Sequence, residues 1–181
     1  AGRVVCGRVR AGGAVAAAVV GGVVRTAVAV GSPQTTWSGG GDLHRVAVDP
    51  VGTHASGASD ADNSLLVLDT ASRRVVGSIH VGANPRGVAV DPDSRHAFVT
   101  NYSENSVSVV DTGAGKVIDT IAVGVNPTAV AVFPRDHYAF VTDFYGNTIS
   151  VINIATLKLV GTVPVGIHPD GVATDPKGQS A

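Results

Sequence analysis

Short apolar runs separated by turn-forming residues recur along most of the chain, and the clearest series lies near its middle. The runs are rich in β-branched and aromatic residues, which favour strands, and they end in Pro, Gly, Asn, Asp or Ser, which favour turns. Because the links between them are short, they predict an antiparallel meander. The four predicted strands are Gly87 to Val90, His96 to Asn101, Ser106 to Asp111 and Lys116 to Val123.

These predicted strands are apolar at consecutive positions rather than at alternate ones. Val88 to Val90 and Ala97 to Val99 are examples. A sheet with one wet face alternates apolar and polar residues, so this pattern indicates sheets covered on both faces. The β-branched content and the Pro and Gly punctuation argue against short buried helices.

The same series occurs twice in succession. When residues 85–126 are aligned with residues 127–168, 16 of the 42 positions are identical. A repeat of this length with four strands per unit is typical of propeller blades, which bury their apolar faces against one another. The predicted fold class is all-β: a partial β-propeller of four-stranded antiparallel blades with a 42-residue repeat.

The repeat divides the chain into unequal units. Residues 43–84 form a degenerate blade, because Ser56-Gly57-Ala58 replaces Phe98-Val99-Thr100, and we expect this blade to be the weakest. Residues 85–126 and 127–168 are full blades, and residues 169–181 hold the first strand of a truncated one. Three blades and one strand do not close a ring, so the sequence indicates either a fragment of a larger propeller or self-association that completes one.

Residues 1–42 differ in composition from the rest. They are rich in Ala, Gly and Val, and their apolar core, Ala11 to Val24, is too short for a comfortable membrane span. Preceding arginines and the small residues Ala27-Val28-Ala29 resemble a secretion signal. The alternative is a low-complexity lead-in or an eroded blade ending in a strand at Thr26 to Val30, followed by a loop from Ser32 to Gly41.

Two motifs carry a family resemblance. Phe98-Val99-Thr100-Asn101 and Phe140-Val141-Thr142-Asp143, with the turns at Asn84-Pro85 and Asn126-Pro127, resemble the YVTN-type β-propeller repeat family. The resemblance covers about Leu43 to Asp175. It implies a propeller of the kind commonly exported or displayed on the cell surface in bacteria and archaea, and it predicts shape better than chemistry.

Composition and repeat position together give few candidates for chemistry. The charge is nearly balanced, with 13 Lys and Arg against 14 Asp and Glu, so nothing favours nucleic-acid binding. Cys6 is the only cysteine. The histidines lack metal-ligand spacing, and the recurring carboxylates Asp49, Asp91, Asp69 and Asp111 are typical of turns. We therefore expect no catalytic residue, no metal and no cofactor.

Propellers usually bind partners through loops, so the loops that enter each first strand and join the second and third strands are the candidate site. Exposed aromatic residues there favour recognition of a partner. The candidate ligand- or partner-binding residues are Arg86, Tyr102, Asn105, Phe144, Tyr145, Asn147 and Asp170.

Three functional hypotheses follow. The first is a binding or scaffold module, extracytoplasmic or on the cell surface and otherwise cytoplasmic, that recognises a protein or cell-envelope ligand without spanning a membrane. The second is a fragment of a propeller enzyme, lactonase-like or quinoprotein-like, with a central channel near Arg45, Gly87, Ala129 and Gly171. The third is a truncated reading frame without function.

Overall fold

The chain folds into strands connected by short turns. A computed structural model describes residues 43–133 and 137–174, and the backbone alone of residues 16–20, 23–27 and 35–37. The strands of residues 16–37 are β1 (Ala16–Val20), β2 (Val23–Ala27) and β3 (Thr35–Trp37). Those of blade 1 are β4 (Leu43–Val48), β5 (His54–Ser59), β6 (Ser64–Asp69) and β7 (Arg74–His80). Those of blade 2 are β8 (Pro85–Val90), β9 (His96–Asn101), β10 (Ser106–Asp111) and β11 (Lys116–Ala122). Those of blade 3 are β12 (Pro127–Phe133), β13 (Tyr138–Asp143), β14 (Thr148–Asn153) and β15 (Lys158–Pro164).

Each blade is a four-stranded antiparallel meander. The strand orders are β4-β5-β6-β7, β8-β9-β10-β11 and β12-β13-β14-β15, as the 42-residue repeat predicts. Within each blade the register shifts once between the first and second strands, as between Pro85 and Val88. It shifts again between the third and fourth strands, as between Val109 and Val110. These shifts increase the local twist of each blade.

The core lies between the blades. Phe98 of blade 2 is fully buried and shares a cluster with Val130 and Val132 of blade 3. A second cluster joins Leu65 of blade 1 to Val88 of blade 2. Both faces of the middle blade are therefore covered, which explains why its strands are apolar at consecutive positions.

The described strands of residues 16–37 form a separate antiparallel sheet in the order β1-β2-β3. Thr26 and Ala27 lie in β2, while the rest of the strand expected at Thr26 to Val30 lies outside the described residues. The segment expected to be a loop contains β3 at Thr35–Trp37. The supposed cleavage site falls mostly outside the described part of the chain.

The carboxylates that recur before proline cap turns, as predicted. The backbone N–H of Thr53 donates to Asp49 Oδ1 at 2.8 Å, and that of Arg95 donates to Asp91 Oδ1 at 2.8 Å. In the described residues there is no helix with the length and apolarity needed to cross a membrane.

Candidate functional site

The candidate site is one end of the blades, which we call the upper face. It consists of the loops that enter the first strands and the loops that join the second and third strands. Antiparallel pairing brings these loops together, since Pro85 pairs with Asn101 and Pro127 with Asp143. All seven residues predicted for the site lie in these loops or beside them.

Asparagine residues fix the loops of this face. Asn63, Asn105 and Asn147 have φ values of 48°, 53° and 54°, the left-handed region that Asn tolerates better than most residues. Asn105 Oδ1 accepts a hydrogen bond from the backbone N–H of Asn126 at 2.8 Å, and Asn147 Oδ1 accepts one from His168 N–H at 2.9 Å. Two predicted site residues therefore link each blade to the next repeat.

Two repeat positions on this face carry a different pair of side chains in each blade. In blade 1, His44 Nε2 lies 2.9 Å from Asp60 Oδ2. In blade 2 the corresponding pair is Arg86 and Tyr102, with the guanidinium carbon 3.8 Å from the ring centroid. That distance is typical of a cation–π contact. The scaffold thus stays constant while the chemistry that it presents changes.

In the third repeat the two positions hold Thr128, which is buried, and Phe144, which belongs to an aromatic cluster. Phe144 stacks on the imidazole of His168, with centroids 4.7 Å apart and planes inclined by 6°. Tyr145 contacts both rings edge-on, at 5.0 Å from Phe144 and 5.2 Å from His168. These contacts hold the three rings in one arrangement.

Large side chains next to this cluster face solvent. The exposed fraction is 57% for Tyr145, 47% for Val125 and 81% for Ile167. The last two occupy the same position of successive repeats, in the loops that enter the first strands. We call the surface formed by Phe144, Tyr145, His168, Val125 and Ile167 the aromatic patch.

The first strands lie close together beneath the loops. A Cβ added to Gly87 would lie 2.8 Å from the carbonyl oxygen of Thr128, so only glycine fits without a shift. Arg45 Nη2 donates to the carbonyl oxygen of Asp170 at 2.7 Å. This contact holds the backbone of Asp170, one of the predicted site residues, against the first strand of blade 1. Of the four residues expected near a central channel, Gly87 and Ala129 are buried, Arg45 is partly exposed and Gly171 is exposed.

The threonine of each motif bonds to the first strand of its own blade, and Thr100 also reaches the first strand of the next blade. Thr100 Oγ1 accepts from the backbone N–H of Gly87 at 2.7 Å and lies 3.4 Å from the carbonyl oxygen of Thr128 in the next blade. Thr142 Oγ1 accepts from the N–H of Ala129 at 3.0 Å. The irregular register of the first strand frees these amides, and the threonine hydroxyl satisfies them.

Directly below the upper face, one repeat position holds a buried polar group in every blade. It is Ser59, Asn101 and Asp143 in turn, all fully buried. Ser59 Oγ, Asn101 Oδ1 and Asp143 Oδ1 each lack a hydrogen-bond partner among the described residues. Such atoms are rare in protein interiors, so this position is a shared feature of the blades.

The carboxyl group of Asp143 is the most perturbed member of this series. Burial raises its pKa, and hydrogen bonds from Thr148, Ser150 and the backbone of Gly124 offset only part of that effect. Thr148 Oγ1 and Ser150 Oγ both donate to Asp143 Oδ2 at 2.8 Å. Among the described residues, no group of three or more His, Cys, Asp or Glu side chains is placed to hold a metal ion.

Sequence reasoning missed part of this face. His168 was not a predicted site residue, yet it stacks on Phe144, and the pair His44–Asp60 occupies the positions of Arg86 and Tyr102. Comparison of repeat positions could have found the second pair, since each partner lies 42 residues before its counterpart. Nothing in the sequence identifies the stacking of His168.

The meanders, the interblade core and the recurring threonine define a repeat protein of the β-propeller class. The sequence of residues 89–178 matches a family described as YNCE-like beta-propeller. The predicted resemblance to a propeller repeat family is confirmed. No curated protein matches the chain.

Solved structures that are similar to this chain include the following two. Kuenenia stuttgartiensis hydrazine synthase superposes with a TM-score of 0.73 at 26% identity, covering 79% of this chain and 42% of that one. A functionally unknown protein from Desulfotomaculum acetoxidans gives a TM-score of 0.74 at 16% identity, covering 91% of this chain and 56% of that one. The chain therefore spans about half the length of these structures, and the second likeness shows the fold alone.

Proposed function

We propose that the chain is a binding or scaffold module whose upper face recognises a protein or cell-envelope ligand. The observation that carries the proposal is the aromatic patch. It combines three rings held in fixed contact with large apolar side chains left in solvent, and aromatic side chains of this kind dominate the energetics of binding surfaces.

The variation between blades supports the same function. One position of successive repeats holds Asp60, Tyr102 and Phe144, and these side chains contact His44, Arg86 and His168 in turn. The residues that stabilise the fold, which are the linking asparagines and the buried polar position, recur in each blade. The residues that change are those a ligand would contact.

The test is a selection for ligands followed by titration of single variants. The 181-residue chain is immobilised and offered a displayed random-peptide library and, separately, purified peptidoglycan fragments, so that the two ligand classes are distinguished. For the best ligand we expect Tyr145→Ala and Ile167→Ala each to weaken binding about tenfold or more, a typical effect of removing a central contact residue.

Val51 supplies the matched control. It is 74% exposed and lies at the opposite end of the blades, in the turn after β4. We expect Val51→Ala to leave binding unchanged. Equal losses for Val51→Ala and Tyr145→Ala, or no ligand from either source, would contradict the proposal.

A propeller enzyme is the second candidate, and one observation favours it: one of the similar structures is named a hydrazine synthase. In this reading the chain contributes blades to a larger catalytic assembly. Assaying the chain for lactone hydrolysis and for quinone binding tests it. Turnover that survives Tyr145→Ala would favour the enzyme over the binding module.

An extracytoplasmic or cell-surface location accords with the binding proposal. Fractionation of cells that express the full-length protein, followed by protease treatment of intact cells, tests it. Recovery of protease-protected protein only in the cytosol would contradict this part of the proposal.

A further inference from the structure

A cavity of about 300 Å³ lies between blades 1 and 2, at the end of the blades opposite the upper face. Its walls are apolar and include Leu65, Val67 and Ile79 of blade 1 and Val90 of blade 2. The exposed residues Val51 and Gly113 line its mouth, so it opens to solvent.

The repeat shows what this cavity corresponds to. Between blades 2 and 3 the equivalent space is filled by the ring of Phe98, which is fully buried. Val107, Val109, Ile121 and Val132 surround that ring in the same cluster, and each lies 42 residues after a wall residue of the cavity. Ser56 stands where Phe98 would be, and it lines the cavity. The walls of an aromatic site are therefore present without the ring.

The size of the cavity favours a ligand over an empty void. An apolar cavity of roughly 150 Å³ stays dry and binds benzene in another protein. The present cavity is about twice that volume, enough for one ring with a substituent or for two fused rings.

Polar groups at the rim define the rest of the ligand. Ser94 Oγ lines the cavity, is buried and has no hydrogen-bond partner among the described residues. Asp49 and His54 lie beside it, with His54 Nδ1 3.6 Å from Asp49 Oδ2. Burial alone would raise the pKa of Asp49, but hydrogen bonds from Thr53 and from the backbone of His54 and Gly52 lower it. The carboxylate at the rim disfavours anions.

We propose that this cavity is a binding site for an uncharged aromatic small molecule that carries one hydrogen-bonding group, of the phenol or indole type. The ring occupies the place of the missing phenylalanine side chain, and the hydroxyl or N–H group bonds to Ser94 or Asp49. The site is independent of the upper face and of the ligand proposed for it.

The probes are p-cresol and indole, titrated into the isotopically labelled 181-residue chain while backbone amide shifts are followed by NMR. We expect saturable shifts at residues that line the cavity, with dissociation constants at or below the millimolar range. Val76→Ala, at an exposed position of β7 that does not line the cavity, should bind as the original chain does. Ser56→Phe fills the cavity and should weaken binding more than tenfold.

Ser56→Leu serves as a second filling variant if Ser56→Phe does not fold, which circular dichroism reveals. Absence of saturable shifts up to 5 mM probe, as expected if another segment of the chain fills the cavity, would overturn the proposal. Unchanged binding by a folded filling variant would overturn it too. Benzoate, matched in size but anionic, should bind at least tenfold more weakly than p-cresol.

Discussion

At the scale of single residues, the fold depends on polar side chains that form hydrogen bonds with specific backbone groups. Thr100 satisfies a buried amide and Asn105 fixes a loop, and both recur 42 residues later with the same partners. Asp143 is the exception, because it places a carboxylate where Asn101 places an amide. The two sites are otherwise alike, with two hydroxyl groups bonded to the side chain in each.

Asp143→Asn is expected to stabilise the protein at neutral pH. Because burial raises the pKa of Asp143 in the folded protein, its contribution to stability is full below the pKa of an unfolded aspartate and is lost as the pH rises through the folded pKa. An amide avoids that loss and can bond to Thr148 and Ser150 as Asn101 bonds to Ser106 and Ser108. Thermal unfolding should show a Tm increase of roughly 2 °C or more at pH 7 and little at pH 4.

The control for that variant is Asp119→Asn, on the exposed outer strand β11. It should change Tm little at either pH. A Tm increase of equal size at both pH values for Asp143→Asn would show that charge at this position is not the cause.

Thr100→Val is expected to destabilise the protein by about 1–3 kcal/mol, the usual cost of leaving a buried amide unpaired. Valine keeps the shape of threonine but cannot accept the hydrogen bond from the backbone N–H of Gly87. Denaturant unfolding measures the change, and Thr120→Val at an exposed position is the control. Equal effects of the two variants would mean that the hydroxyl group of Thr100 adds nothing to the free energy of unfolding.

For single residues, the sequence predicted the kind of role that a residue plays better than it predicted which residues are in contact. The aspartates before proline were recognised as turn residues because their hydrogen bonds are local. The contact of Arg86 with Tyr102 and that of Phe144 with His168 join residues from different loops, which only the packed blades bring together. No local pattern encodes such pairs.

At the scale of elements, the strands follow the sequence closely. Predicted strands at His96 to Asn101 and Ser106 to Asp111 match β9 and β10, because each is bounded by turn residues. Blade 1 forms its second strand despite the loss of the aromatic residue, since β5 pairs with β4 and β6 along its length. Backbone pairing therefore survives where side-chain packing has changed.

Phe98→Ala should be the most damaging of the aromatic truncations, at about 3–5 kcal/mol, because the ring is fully buried between two blades. Phe140 is only partly buried, so the same change there should cost less. His96→Ala, at a partly exposed position, is the control. Equal melting shifts for Phe98→Ala and His96→Ala would contradict the interblade packing described above.

At the scale of the whole molecule, the three blades differ in how well their fourth strands are covered. Ile79 is 8% exposed in β7 and Ile121 is 6% exposed in β11, but Val163, at the corresponding position of β15, is 51% exposed. Val165 is 38% exposed, whereas Val81 at the corresponding position of the first repeat is 6% exposed. Within the described part of the chain, blade 3 therefore presents an apolar face without a neighbour.

We expect this face to drive association of the 181-residue chain with a second copy. Light scattering should give a mass above 18.1 kDa, and Val163→Asp should return the mass to that of one chain. Val76→Asp, at an exposed valine of β7, is the matched control and should leave the mass unchanged. A monomeric chain with β-rich circular dichroism would contradict the prediction.

The sequence predicted the number of blades because the repeat is periodic, but it could not predict the cavity between blades 1 and 2. Loss of the phenylalanine indicated a weakened blade. Whether neighbouring side chains collapse into such a space depends on their packing. Here Leu65 and Val90 line the cavity and do not fill it.

The hydrogen bonds between Asn63 and Asn84, Asn105 and Asn126, and Asn147 and His168 all join residues 21 positions apart. In each case the donor is a backbone N–H, so the bond needs no particular side chain on the second residue. Its φ of 54° nevertheless favours residues that tolerate the left-handed region, such as Asn84, Asn126 and His168. A tandem duplication or loss of any 42-residue segment, wherever its boundaries fall, therefore preserves every such link. The number of blades can change in a single genetic event without a new link of this kind having to evolve.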